Sequence, residues 1–153
     1  MTDFEHVFFE KVVPQIRPDV RERVLTLLNM LRSGDPLHAG LIFGDSSGNP
    51  AFVLLSKSRL IVLQVQSDGK INSTSFLLAR LLNYETNSHN GQMHLVFRFE
   101  PTAQVTATVS TEYPLLPIFF SRFEQVLSGK TPTGLGPQEP PPYSGGSSVG
   151  FQA

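Results

Sequence analysis

The chain has 153 residues, a net charge of −1 and no cysteine. That length suits a single domain able to bury roughly two thirds of its unfolded surface. The balanced charge removes any drive toward nucleic acid, and the absence of Cys excludes a disulfide scaffold, a thiolate zinc site and a cysteine nucleophile.

Thr2-Asp3-Phe4-Glu5 has the pattern of a capping box. Phe4, Val7, Phe8 and Val12 then recur at helical spacing, which predicts a helix from Asp3 to about Val12, stopped by Pro14. Pro18 and Asp19 open a second helix that runs to Arg32 on the stripe Val20, Val24, Leu27, Leu28 and Leu31, with Gly34 placed for a left-handed C-cap. Both helices are amphipathic and need an apolar surface, preferably within their own chain. Phe9 points away from the first helix's stripe. With Val13 and Ile16 it forms a candidate partner-binding patch, through which a homo-oligomer would assemble. The N-terminus carries acids where a signal peptide needs bases, and no apolar run approaches membrane-spanning length. A cytoplasmic location is expected, with at most peripheral membrane contact.

After Pro36 the period becomes extended. Ala39–Phe43 is a short apolar run closed by a loop from Gly44 to Pro50. Ala51–Leu55 and Leu60–Val65 are Val/Ile/Leu-rich runs separated by Ser56-Lys57-Ser58-Arg59, a hairpin with a turn of three to five residues. Ser67-Asp68-Gly69-Lys70 is a turn and Ile71–Leu78 a strand. Ala79–Glu85 is a further extended piece, and Thr86–Gln92 reads as a turn-rich loop. His94–Glu100 and Gln104–Val109 alternate apolar and polar residues, the pattern of antiparallel strands with one wet face.

From Pro114 the period is helical again, with Leu116, Phe119, Phe120, Phe123 and Leu127 on one face and Gly129 as the stop. The remainder is dominated by Gly, Pro, Ser and Gln and is expected to be disordered. The organisation expected is a helical pair over 1–36, a barrel with its C-terminal helix over 37–128 and a tail over 129–153.

Seven antiparallel strands followed by one helix is the element order of the pleckstrin-homology (PH) superfold. Phe52–Leu55, Ser56-Lys57-Ser58-Arg59-Leu60 and Ile61-Val62 resemble the strand pair of its bacterial PH-like and GRAM-like members, with Ser56 in place of the usual Thr. Ser75–Leu82 resembles the family's next strand and corner. The resemblance covers about Leu37 to Ser128. It implies an α+β fold in which a PH-like, seven-stranded, partly open barrel is capped by the C-terminal helix and preceded by two helices.

Few residues suggest chemistry. Gly44-Asp45-Ser46-Ser47-Gly48 is similar to the nucleophile segment of trypsin-like proteases, but no matching His and Asp precede it, and a surface loop is preferred. His89 and His94 lack the cluster a metal site needs. Lys57, Arg59 and Lys70 are the candidate lipid-binding residues, a thin set for several phosphate hydrogen bonds, and the plainer reading has Arg59 on loop carbonyls. Pro140-Pro141-Pro142-Tyr143 matches the pattern read by WW domains, with Pro140, Pro141 and Tyr143 as contacts, in a eukaryotic or viral protein only. The reading is a non-enzymatic module with no cofactor and no metal, acting through a protein partner. The alternative is a membrane adaptor using the Lys57/Arg59 turn for lipid and the Pro-rich tail for a WW domain.

Overall fold

A computed structural model of the chain describes residues 1–43, 49–132 and 148–152. The capping box forms as the sequence dictates. Thr2 Oγ1 accepts from the Glu5 N–H at 3.1 Å, and Glu5 Oε1 accepts from the Thr2 N–H at 3.0 Å. Helix α1 spans Asp3–Val7 and continues as a π turn over Phe8–Val12 and a 3₁₀ turn over Val13–Gln15. The π winding decides the fate of the predicted contact patch. It closes i to i+5, so the Val13 N–H bonds the Phe8 carbonyl and Val13 lies above Phe8 on the inner face. Phe8, Val12, Val13 and Ile16 are all buried, and Phe9 is half-buried under the Arg32 guanidinium, 5.4 Å from its ring centroid. Val13 and Ile16 therefore do not lie on the surface, and Phe9 is partly exposed without them.

Helix α2, Pro18–Leu31, buries Val20, Val24 and Leu28, and Gly34 takes the left-handed φ of +73° just after it. Strands β1 (Leu37–Phe43), β2 (Ala51–Ser56), β3 (Arg59–Val65) and β4 (Ile71–Leu77) form one antiparallel sheet in that order. Strands β5 (Leu81–His89), β6 (Gln92–Phe99), β7 (Ala103–Ser110) and β8 (Ser148–Gln152) form a second. The two sheets do not close into one barrel. Helix α3, Leu115–Leu127, lies between β7 and β8 in the chain and packs on β1. Pro114 caps it, and Pro117 sits within its first turn, where its missing N–H is harmless.

The unbroken apolar runs of β2 and β3 have a direct cause: β1, β2 and β3 are buried on both faces. One face carries Gly40, Phe52 and Leu54 and takes the first helical segment, with Phe8 edge-on to Phe52 at 5.1 Å. The other carries the cross-strand set Leu55, Leu60 and Phe76, and Phe76 stacks at 5.0 Å on Phe99 of β6. Phe97 meets Phe123 of α3 at 5.3 Å and closes the core on that side. The N-terminal helices thus share one core with the strands. The expected single wet face holds only for the second sheet, where β6 and β7 alternate buried with half-buried residues.

Two further expectations change. The loop over Thr86–Gln92 is instead the end of β5, a two-residue turn and the start of β6. Asn90 (φ 51°) and Gly91 (φ 76°) form that turn, as Asn-Gly does in primed hairpins. Within the tail expected to be disordered, Ser148–Gln152 form β8, antiparallel to β7 from Thr108↔Ser148 to Gln104↔Gln152, while residues 133–147 lie outside the described residues.

Candidate functional site

Two four-stranded sheets have strand edges, and an edge is either closed by the protein or available to another chain. The outer edge of β1 is closed by side chains. Glu5 Oε2 accepts from the Leu37 N–H at 3.1 Å, and the Thr2 hydroxyl donates to the Leu37 carbonyl. Arg122 Nη1 donates to the His38 carbonyl at 2.7 Å. The Tyr113 hydroxyl accepts from the Ile42 N–H and donates to the Ile42 carbonyl, each at 3.1 Å. Burial drives the Tyr113 pKa well above the ordinary phenol range, so the hydroxyl stays a donor. Gly40, between these points, lies against the Phe4 ring. β7 is covered by β8, which is then itself the edge strand of that sheet.

The edges of β4 and β5 are different. Neither has a strand on its outer side among the described residues. They meet through the short 3₁₀ turn Leu78–Arg80. β5 is nine residues long, contains no Pro, Lys or Arg, and is exposed apart from Leu81 and Tyr84. Its one charge, Glu85, is 3.2 Å from Arg98 Nη2 on β6. β4 carries no charge at all. β4 thus carries none of the charges or prolines that keep foreign strands away, and β5 has only Glu85 and a break in register between Leu81 and Asn83 at its start.

The hairpin fixes which backbone groups face outward. The pair flanking a two-residue turn, His89 and Gln92, is hydrogen-bonded, so Asn87, Glu85 and Asn83 also turn their N–H and C=O to β6. Tyr84, Thr86 and Ser88 turn theirs away. Tyr84 is anchored by its ring, edge-on to Phe123 at 5.1 Å, so this row of donors and acceptors is held in place by α3. At the corner between the two strands, a cleft of about 210 Å³ is lined by Ser75, Phe76, Leu77, Arg80, Phe99 and Glu100. Leu77 of its lining is 49% exposed, and Leu82, near the start of β5, is 54% exposed.

The residues singled out in the sequence do not converge. Arg59 Nε donates to Asp35 Oδ2 at 3.1 Å, and Arg59 Nη2 donates to the Leu31 carbonyl at the end of α2. The same Asp35 oxygen accepts from the Ser56 and Ser58 hydroxyls at 2.7 and 2.6 Å. Burial pushes the Asp35 carboxyl up, but Ser58, Ser56 and Arg59 outweigh it and hold the carboxyl below its usual range. The Ser56–Arg59 turn is thus a latch between the β2–β3 hairpin and α2, and Arg59 is committed to it. Lys57 is exposed beside that latch. Lys70 is at the opposite end of β3, paired at 3.9 Å with Asp68 and about 20 Å from Lys57 by strand length. The three cations form no common site.

His89 ends β5, and His94 on β6 places Nδ1 3.0 Å from Thr108 Oγ1. Among the described residues no group of three His, Cys, Asp or Glu side chains could hold a metal. No helix among them is long and apolar enough to cross a membrane. The Gly44–Gly48 segment and Pro140, Pro141 and Tyr143 lie outside the described residues. The extended piece expected over Ala79–Glu85 stops short of the end of β5 because Thr86–His89 is polar; Asn90-Gly91 is the signal that marks its hairpin. Comparison with protein-family models, with curated proteins and with solved structures returned no match for this chain.

Proposed function

We propose that this chain is a non-enzymatic, cytoplasmic binding module of PH-like type that takes extended protein segments by strand addition along β5. One observation carries the reading. Tyr84, Thr86 and Ser88 present an outward row of backbone donors and acceptors, on a strand with no proline and no unbalanced charge. Strand addition supplies main-chain hydrogen bonds for affinity and side-chain pockets for specificity. The cleft at the β4–β5 corner, with Arg80 at its rim, is a pocket of that kind. The strand order and the Ser56–Arg59 turn support the PH-like assignment. Against the lipid alternative stand the commitment of Arg59 to Asp35 and the separation of Lys57 from Lys70.

The test is selection of displayed random peptides on the full-length protein, with Thr86→Pro as the comparison. This proline removes an outward N–H and leaves the β5–β6 ladder whole. Enriched peptides should bind the wild type and lose at least about tenfold affinity on Thr86→Pro, whose circular dichroism should be unchanged. Equal binding to both proteins would move the site off β5. Failure to enrich any peptide would refute the reading.

A further inference from the structure

The second sheet ends on the side away from β5 in a strand contributed by the tail. The pairing parity of this sheet assigns its bonds. On β6 the residues Met93, Leu95, Phe97 and Phe99 face β7, so their partners Val109, Ala107, Val105 and Ala103 bond back to β6. Gln104, Thr106 and Thr108 consequently turn their N–H and C=O outward. Their partners on β8 are Gln152, Gly150 and Ser148. Five residue pairs hold β8, and β7 is its only partner strand among the described residues.

A strand held on one side by so few pairs must set those bonds against the entropy of ordering its own backbone, and the two terms are close. Residues 128–147 separate it from α3 in the chain, few enough to keep it at high effective concentration beside β7. We propose that the outer edge of β7 is a second strand-docking site, and that Ser148–Gln152 is its resident ligand, bound reversibly in cis. The tail shields this edge from other extended segments. The partner it fits is an extended segment that pairs as the tail does, most directly the tail of a second copy. This proposal concerns the opposite edge from β5 and stands without that reading.

Gly150→Pro in the full-length chain tests it, because Gly150 supplies an N–H bonded to β7. Phe151→Pro is the control, because by the same parity the Phe151 N–H faces away. The probe in trans is a labelled synthetic peptide, Ser147 to Ala153. The Thr106 and Thr108 amides should exchange at least about tenfold faster in Gly150→Pro than in the wild type or Phe151→Pro. The peptide should bind Gly150→Pro at least about tenfold more tightly than wild type and restore that protection, since the cis tail no longer competes. Three results would overturn the proposal: equal exchange in the wild type and Gly150→Pro, no peptide binding to Gly150→Pro, or dimerisation of Gly150→Pro through β7 with the peptide excluded.

Discussion

Phe4 occupies the space that a side chain on Gly40 would need: a Cβ there would lie 2.6 Å from Phe4 Cζ and 3.0 Å from Leu54 Cδ2. Phe4 cannot swing aside, because it is buried and stacked on Phe8 at 5.2 Å. Gly40→Ala should therefore destabilise the protein by about 1–3 kcal/mol, the usual consequence of overpacking a filled core. Urea unfolding of the variant checks this. An unchanged midpoint would mean that α1 does not seat on β1 as described.

Arg59 and Lys57 are neighbours in the chain with opposite fates, which makes them a matched pair. Arg59→Ala leaves the half-buried Asp35 carboxylate and the Leu31 carbonyl short of a donor, and should destabilise by about 1–3 kcal/mol. Lys57→Ala removes an exposed cation and should fall within about 0.5 kcal/mol of the wild type. If a phosphoinositide site were formed at this turn, both changes would reduce liposome binding and neither would be singled out by stability.

Acid should destabilise the fold in two stages. Burial holds the His38 imidazole below its ordinary range, assisted by the positive charges of Lys57 and Arg122. Its folded pKa lies below its unfolded one, so its contribution is complete above about pH 6.5 and is lost as pH falls through the depressed value. Glu5 and Asp35 act lower. Burial pushes Glu5 up, but Arg32 at 2.7 Å and the N–H groups of Thr2 and Leu37 outweigh it. Both carboxyls are depressed, so their contribution is present above about pH 4 and lost below it. Urea midpoints from about pH 7.5 to 3 should show both stages, and His38→Gln should flatten only the upper one.

Deleting residues 1–16 should abolish cooperative unfolding, because Phe4, Phe8, Val12, Val13 and Ile16 are all core. A folded, truncated monomer would show that these residues are an appendage and would return the N-terminal segment to the list of contact surfaces. Circular dichroism and light scattering on the truncated chain separate the two outcomes.

Most elements were legible because the interactions that specify them are local. The Thr2–Glu5 box spans one turn, Pro18 and Gly34 bound α2, and alternation set β6 and β7. The misread pieces are those whose pattern is made by distant partners. Thr86–His89 has no apolar alternation because it lies on an exposed edge, so only Asn90-Gly91 spoke for the hairpin. Val13 and Ile16 faced outward on an ideal helix; the π turn brings Val13 inward, and Ile16 is buried in extended backbone after the 3₁₀ turn.

The amino-acid order by itself determined α2, α3, β1–β4, β6 and β7 and most of the apolar residues they bury, through spacing, caps and turns acting over a few residues. Which strand edges are closed and which stay open was decided only by the tertiary structure. Tyr113 reaches Ile42 across 71 positions and Arg122 reaches His38 across 84, while β8 returns from the far end of the chain to β7. No local pattern encodes such a closure, because a hydroxyl or a guanidinium pairs with whichever backbone group the packed fold brings within hydrogen-bond distance.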